Sequence, residues 1–405
     1  CRRAYGRSLE LRDVQPVRLA FALEQTCTMN SVWRVVRKFS PESCALAITI
    51  AFALLRVLAS FCIGLGTNEA YAIASGRAMS LSYFDHPPLH FWLAHLGELL
   101  FGDTRAARLL FILMGAGTSW LMFLLAGRLF GGRAGVWATL ALNLSGFFGF
   151  VSATWILPDG PLNFFLLAAA LVLVPVAEGK RLSLPRWLVA GSLVGLAALS
   201  KYHGIFFAGE IFAYMLVNSE RRRWLLTPGP WLAALLALAV FSPVLIWNGA
   251  HHWISFGFQG GRAQSRHFGL GLFLTLLLAQ LALLTPWVVV PLLRGISQGF
   301  SRIDPQSRFL LWLGLPMALF FSLVPLWSDG GMVQWAMPGW LLLLPLAGRY
   351  LAEESALKTW PQYWAGAFAA TFVVIVILFC LEVQTGWLGT AFPGIFRRGD
   401  PTTEN

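Results

Sequence analysis

Residues 43–65 read SCALAITIAFALLRVLASFCIGL, a run whose only formal charge is Arg56. At about 1.5 Å per residue, such a run crosses a hydrocarbon core of about 30 Å as one helix. The next residues, GTNEAY (66–71), turn polar at once and put Glu69 at the end of the span. A long apolar run followed by a short polar turn is the rhythm of the whole chain, and it decides the fold class.

Further runs fall at 106–127, 134–154, 161–177, 187–200, 203–218, 230–247, 270–292, 309–326, 332–348 and 365–384. Together they predict an all-α, polytopic membrane helical bundle of about eleven transmembrane helices. Of the 405 residues, 57% are hydrophobic and 12% charged, against about 25% charged in a globular domain. Mean hydropathy is +0.66. The 18 Trp and 32 Phe suit a surface that meets lipid and headgroups. A soluble enzyme, a disordered chain and a disulfide-stapled secreted domain are excluded. Cys1, Cys27, Cys44, Cys62 and Cys380 are scattered, with no CxxC or metal-ligand spacing. The segment PPLHFWLAHLGELLF (87–101) is too short and too polar to span. Pro87 and Pro88 suit a first helical turn, so it is read as an interfacial helix on the outer face.

The net charge of +11 follows from topology and needs no nucleic-acid partner. With the N-terminus inside, eight basic residues precede the first span. Inner turns then hold Arg128, Arg133, Lys180, Arg181, Arg186, Arg221, Arg222, Arg223, Arg294, Arg302, Arg308, Arg349 and Lys358, which makes 21 of the 30 Lys and Arg inside. The implied organisation is a cytoplasmic segment 1–42, a transmembrane domain 43–384 and a short periplasmic tail 385–405. The first methionine is Met29, so residues 1–28 are read as upstream of the native start, with a genuine cytoplasmic extension as the alternative. SVWRVVRKFS (31–40) reads as a basic amphipathic helix on the inner surface.

The same assignment collects acids and bases on the outer side. Glu69 and Asp85 lie in the first outer loop, Asp159 in the turn WILPDGPL, Lys201 and Tyr202 in LSKYHG, and Asp329 in LWSDGG. The loop 248–269 adds His251, His252, Arg262, Arg266 and His267. Ionisable groups at apolar helix ends are costly unless paired or solvated, so their gathering on one side marks a site. A carboxylate there can act as general base toward a hydroxyl, and cations can neutralise a phosphate leaving group.

Five ordered blocks carry a resemblance: NEAY (68–71), YFDHPPLHFWL (83–93), LPDGPL (157–162), LSKYHG (199–204) and SPVLIWNGAHHWISFGFQGGR (242–262). Over roughly 43–345 the chain resembles bacterial GT-C-type glycosyltransferases of the protein O-mannosyltransferase and aminoarabinose lipid A transferase superfamily. The resemblance implies a sugar taken from a polyprenyl phosphate and passed to a lipid, glycan or protein. It implies Glu69, Asp85 and Asp159 as the acids of the site. His86, Lys201, Tyr202, Arg262 and Arg266 are implied around the phosphate of the lipid donor. The family's acidic pair is Asp-Glu, whereas here it is Asn68-Glu69. Some members use a divalent metal ion, which stays open as a cofactor.

Plainer readings stand beside these. Asp85 is equally a helix N-cap, Asp159 a turn former, and Lys201 a snorkelling cation. His86, His90, His95 and the His251-His252 pair read as interfacial or surface histidines rather than ligands. Glu210, mid-membrane in GIFFAGEIFAYML, reads as hydrogen-bonded within the bundle, and Ser219–Arg223 as an inner anchor. The expected function is a bacterial inner-membrane glycosyltransferase with a periplasmic site, contacting membrane lipids and a polyprenyl-phosphate-linked sugar. The base would be Glu69 or Asp85. The alternative is a non-catalytic accessory subunit of a membrane complex, motivated by Asn68. A transporter fits less well, because no paired halves are visible.

Overall fold

Each apolar run becomes helical because a backbone inside lipid must satisfy its own hydrogen bonds. A computed structural model of the protein describes residues 39–262, 264, 268–302, 304–329, 331–387 and 390. The expectations for Arg266, His267, Cys1, Cys27, the stretch 31–38 and the tail beyond 390 fall outside them. Among the described residues all regular structure is helical.

The long helices are α1 (Pro41–Cys62), α2 (Thr67–Arg77), α3 (Leu89–Phe101), α4 (Arg108–Phe130), α5 (Gly132–Leu144), α6 (Asp159–Ala177), α7 (Leu184–Ser200) and α8 (His203–Val217). They continue as α9 (Pro228–Ala250), α10 (Ile254–Gly261), α11 (Leu270–Leu284), α12 (Pro286–Arg302), α13 (Pro305–Leu323), α14 (Met337–Leu357) and α15 (Trp360–Thr385). Proline opens several of them, where its missing N–H costs nothing.

Six helices are long and apolar enough to cross a membrane, and two pairs bent by 84° and 99° would bring the number to eight. The expected eleven is not reached on this measure. α7 and α8 have only 17 and 15 residues, and α14 carries Arg349, Glu353 and Glu354 in its last turns. The interfacial segment forms α3 as expected. α2 was not expected: its sequence, TNEAYAIASGR, has no apolar stripe.

α5 packs against α1, α4 and α14, while α7 lies between α6 and α9. The small-residue run of α7 allows this approach. A Cβ on Gly191 would come within 2.2 Å of the Ala233 carbonyl oxygen, so only glycine fits. At one end of the bundle, Arg128 meets Glu178, Arg302 meets Glu353, and Arg349 meets Asp304. Arg221 does more than anchor: it is buried and donates to the carbonyls of Val176 (3.0 Å) and Ala177 (2.9 Å), capping α6. Glu210 is bonded inside the bundle as expected, accepting from the Met317 N–H at 2.8 Å beside the helix-breaking Pro316.

The sharpest feature is the break after α5. A π-helical turn, Phe147–Val151, runs into Ser152–Thr154 and bends the span by 84°. Such a break frees backbone carbonyls inside the bundle. Arg56 of α1, wholly buried, answers it by donating to the Gly149 carbonyl (2.8 Å) and to Asn143 Oδ1. Arg56→Leu should therefore lower stability by roughly 2–3 kcal/mol by leaving two buried acceptors unmet. Unfolding in mixed detergent micelles would measure this, with Arg56→Lys expected to recover part of the loss.

Candidate active site

The end of the bundle opposite those ion pairs holds a cavity of about 1150 Å³. Its walls are of two kinds. Phe147, Phe206, Phe320, Phe321, Phe379 and Val383 line an apolar side, and Glu69, Asp85, His86, Asp159, Lys201 and Arg262 a charged one. A phosphate with a long hydrocarbon chain is the class of molecule that such a pair of surfaces suits.

The charged wall is built by local structure. α2 begins after Gly66, whose N–H donates to Glu69 Oε2 at 3.0 Å. Glu69 is buried and also takes Arg108 Nε at 2.7 Å on Oε1 and Arg108 Nη2 on Oε2. The Ile156 N–H adds a fourth bond, to Oε1 at 3.1 Å. Arg108, at the head of α4, spends its remaining donors on the carbonyls of Ser60, Ile63 and Gly64. Both oxygens of Glu69 are thus saturated.

Asp159 opens α6 behind Pro158 and accepts from Lys201 Nζ at 2.8 Å, both groups being buried. Lys201 therefore does not snorkel to solvent. Asp85 does not cap α3, whose cap position is Pro88. It accepts instead from the Tyr71 hydroxyl at 2.8 Å. Burial first, and then Asp85, push the Tyr71 phenol up to about 12, so it stays a donor. His86 Nε2 lies 3.9 Å from Asp85 Oδ2. Arg262 rests on the rings of Trp335 (5.0 Å) and Phe258 (5.5 Å) and donates to Met332 Sδ at 2.8 Å. Helix α10 lies against the same wall: Ser255 Oγ is 2.6 Å from the Tyr202 hydroxyl, and Gln259 donates to the Asp85 carbonyl.

Every sequence-predicted site residue among those described reaches this one cavity: Glu69, Asp85, His86, Asp159, Lys201, Tyr202 and Arg262. Burial holds the His86 imidazole below the ordinary histidine value, and the charges of Asp85, Lys201, Asp159 and Arg262 all act on it. Asn68 lines the cavity too. Sequence reading missed Arg108, Tyr71, His90, His203 and Gln259. Arg108 did leave a signal, as a lone arginine at the outer end of a span. His251 stacks on Trp247 with centroids 4.0 Å apart, a surface packing role. Among the described residues no three His, Cys, Asp or Glu side chains are grouped to hold a metal ion. The His86 and His90 rings stand edge to face with centroids 5.5 Å apart. These residues do not form a ligand set.

A family model described as dolichyl-phosphate-mannose-protein mannosyltransferase matches residues 85–247. The lipid A galacturonosyltransferase RgtD of Rhizobium johnstonii is 26% identical over 348 residues, covering 80% of this chain and 67% of that protein. An undecaprenyl phosphate-alpha-4-amino-4-deoxy-L-arabinose arabinosyl transferase of Pseudomonas savastanoi is 31% identical over 291 residues. That match covers 66% of this chain but 51% of the transferase, so the chain spans about half the length of that relative. Among solved structures, ArnT from Cupriavidus metallidurans bound to undecaprenyl phosphate superposes with a TM-score of 0.63 at 20% identity, over 88% of this chain and 73% of its own. An Archaeoglobus fulgidus oligosaccharyltransferase gives 0.53 at 14% identity, over 89% and 60%. These likenesses establish the fold.

Burial also holds His90 well below its usual range. With His86 and His90 both depressed, the folded protein resists the protons that the unfolded chain takes up near pH 6.5. The stability they contribute is complete above that pH. It should fall by up to about 1.4 kcal/mol per pH unit per histidine as pH drops below it. Thermal unfolding in detergent between pH 8 and 5 would check the sign.

Proposed function

We propose that this chain, which belongs to the GT-C glycosyltransferases of the protein mannosyltransferase and ArnT family, transfers a sugar from a polyprenyl phosphate to an acceptor hydroxyl. The observation that carries this reading is the cavity itself, which Asp85, Lys201 and Arg262 line together with the aromatic rings of Phe147, Phe206, Phe320 and Phe321. The carrier chain lies along the rings and its phosphate meets Arg262 and Lys201. Lys201 donates one of its three N–H groups in a hydrogen bond to Asp159 and has two more to offer.

The acceptor hydroxyl passes its proton to Asp85 as its oxygen attacks the anomeric carbon. The bond from that carbon to the phosphate oxygen breaks, and its electron pair leaves with the polyprenyl phosphate. The cations neutralise the charge that grows there. Asp85 suits the base role better than Glu69, whose four hydrogen bonds leave it no free lone pair directed at a substrate. Glu69 is the positioning residue that ties α2 to α4. The accessory-subunit reading rested on Asn68, and gains nothing from a cavity that retains a carboxylate and two cations.

The protein is a multi-pass bacterial inner-membrane protein of ArnT type. We assign the cavity to the periplasmic side and the Arg302–Glu353 end to the cytoplasm, as the 21 basic residues of the N-terminal segment and inner turns support. Alkaline phosphatase fused after His252 should then be active, and the same fusion after Thr227 silent. The reverse pattern would invert the assignment.

Asp85→Asn should lower kcat by about 10²–10⁴-fold while undecaprenyl phosphate still binds. Glu69→Gln should instead destabilise the fold by about 3–5 kcal/mol, because it strands the Arg108 charge. Turnover in proteoliposomes, measured beside detergent melting curves, separates the two. Full turnover by Asp85→Asn would refute the base assignment.

A further inference from the structure

Three free cysteines lie among the described residues: Cys44, Cys62 and Cys380. They are scattered in the sequence, but two of them meet in the fold. Cys62 is the last residue of α1, and Cys380 sits near the end of α15. The Cys380 thiol is within hydrogen-bonding reach of the Cys62 thiol. One helical turn further along the same face of α15, Gln384 Nε2 donates to the Cys62 carbonyl oxygen at 2.7 Å. That bond sets α15 against the end of α1 independently of the two sulfurs. Cys62 is exposed and Cys380 half-buried, so a reagent at the membrane surface can reach the pair.

The place of the pair gives a covalent link there a consequence. α15 is the least buried of the six long spans: 17% of its most apolar stretch is buried in the protein, against 72% for α6. It nevertheless supplies Phe379 and Val383 to the cavity wall, beside Ile63, the residue that follows Cys62. Ser60 and Ile63, on either side of Cys62, give their carbonyls to Arg108. The end of α1 is therefore pinned. At this level α15 leans on the bundle through the Phe150–Phe379 ring contact and the Gln384 bond.

We propose that Cys62 and Cys380 form a redox-controlled disulfide, which clamps α15 to the end of α1 and holds the side wall of the cavity. The chemistry is thiol–disulfide exchange with a disulfide donor in the compartment the cavity faces. The orientation assigned above makes that compartment the oxidising periplasm. Cys62 Sγ attacks one sulfur of the donor disulfide, and the first donor thiolate leaves with the Cys62 proton. Cys380 Sγ then attacks Cys62 Sγ in the mixed disulfide, and the second donor thiolate leaves with the Cys380 proton. Two protein thiols and one donor disulfide thus become one protein disulfide and two donor thiols. The link restricts the unfolded chain, and in the folded one it restrains α15 from leaving the cavity wall.

The test compares the purified full chain in proteoliposomes after oxidised glutathione and after dithiothreitol. Peptide mass spectrometry of the oxidised chain should return Cys62 and Cys380 joined to each other. Oxidation should raise the melting temperature by about 5 °C. Cys62→Ser and Cys380→Ser should each abolish that rise, and Cys44→Ser should keep it. Cys62 and Cys380 recovered only as free thiols or as separate glutathione adducts would overturn the proposal, as would a rise that survives both serine variants. The clamp, which rests on the lipid-carrier reading of the cavity, is read from the release of labelled undecaprenyl phosphate. Oxidation should slow that release at least about threefold. Equal release from both forms, with the link in place, overturns the clamp. If undecaprenyl phosphate binds neither form, the glycosyl-transfer reading and the clamp fall, while mass spectrometry and melting still decide the disulfide.

Discussion

The buried pair of Arg108 and Glu69 is the constraint on which the rest of the site depends. It joins four stretches of chain that are remote in sequence. The end of α1 offers carbonyls, α2 the carboxylate, α4 the guanidinium, and the turn before α6 the Ile156 N–H. A charge pair removed from water gains only when its remaining donors and acceptors are met, and here five further bonds meet them. With that knot tied, Tyr71 on α2 reaches Asp85, and the turn after Ile156 carries Asp159 to Lys201. The active wall is thus a consequence of a structural pair that takes no part in the chemistry proposed.

A second constraint acts deeper in the bundle. A span bent by 84° is tolerated in an apolar setting only if its freed backbone groups find donors. Arg56 supplies them without a carboxylate partner, and Ser145 and Thr285 add bonds around the same break. Ser145 Oγ donates to the Leu283 carbonyl, and Thr285 Oγ1 to that of Leu144. The second bent pair, α11 and α12, turns at Thr285 itself, which adopts a positive φ of 70°. The two breaks therefore brace each other. Together they turn Phe147, Val151 and Leu283 into the apolar wall of the cavity.

Much of this was legible in the sequence, and the limit of legibility has a physical cause. Apolar runs are read directly because the bilayer fixes their length, and each one is helical. The motif blocks were read because charged residues at span ends are rare, and their members do converge on one cavity. What escaped was pairing across the chain. Nothing in NEAY says that Glu69 will be saturated by an arginine 39 residues on. Nothing in LSKYHG says that the His203 ring will be buried and packed against Phe321, with centroids 4.5 Å apart. α2 escaped for a different reason: its helix is held by a knot of polar bonds at its first turn, whereas periodicity detects only apolar faces. The span count failed where helices are short or end in charges, since length and hydropathy cannot say how deep a helix sits.

The amide at position 68 is where these strands meet. Among the described residues three carboxylates line the cavity with Lys201 and Arg262, and Arg108 lies behind Glu69; Glu69 is spent on Arg108 and Asp159 on Lys201. A fourth carboxylate beside Glu69 would add negative charge to a wall proposed to receive a phosphate. In a cavity of low dielectric, with Arg108 and Lys201 already matched, that repulsion would act on the donor. The amide removes it and adds a donor and an acceptor suited to hydroxyls. Asn68 then reads as a change in what the cavity holds: in the transfer proposed, the acid function falls to Asp85, and one negative charge fewer meets the anionic lipid carrier.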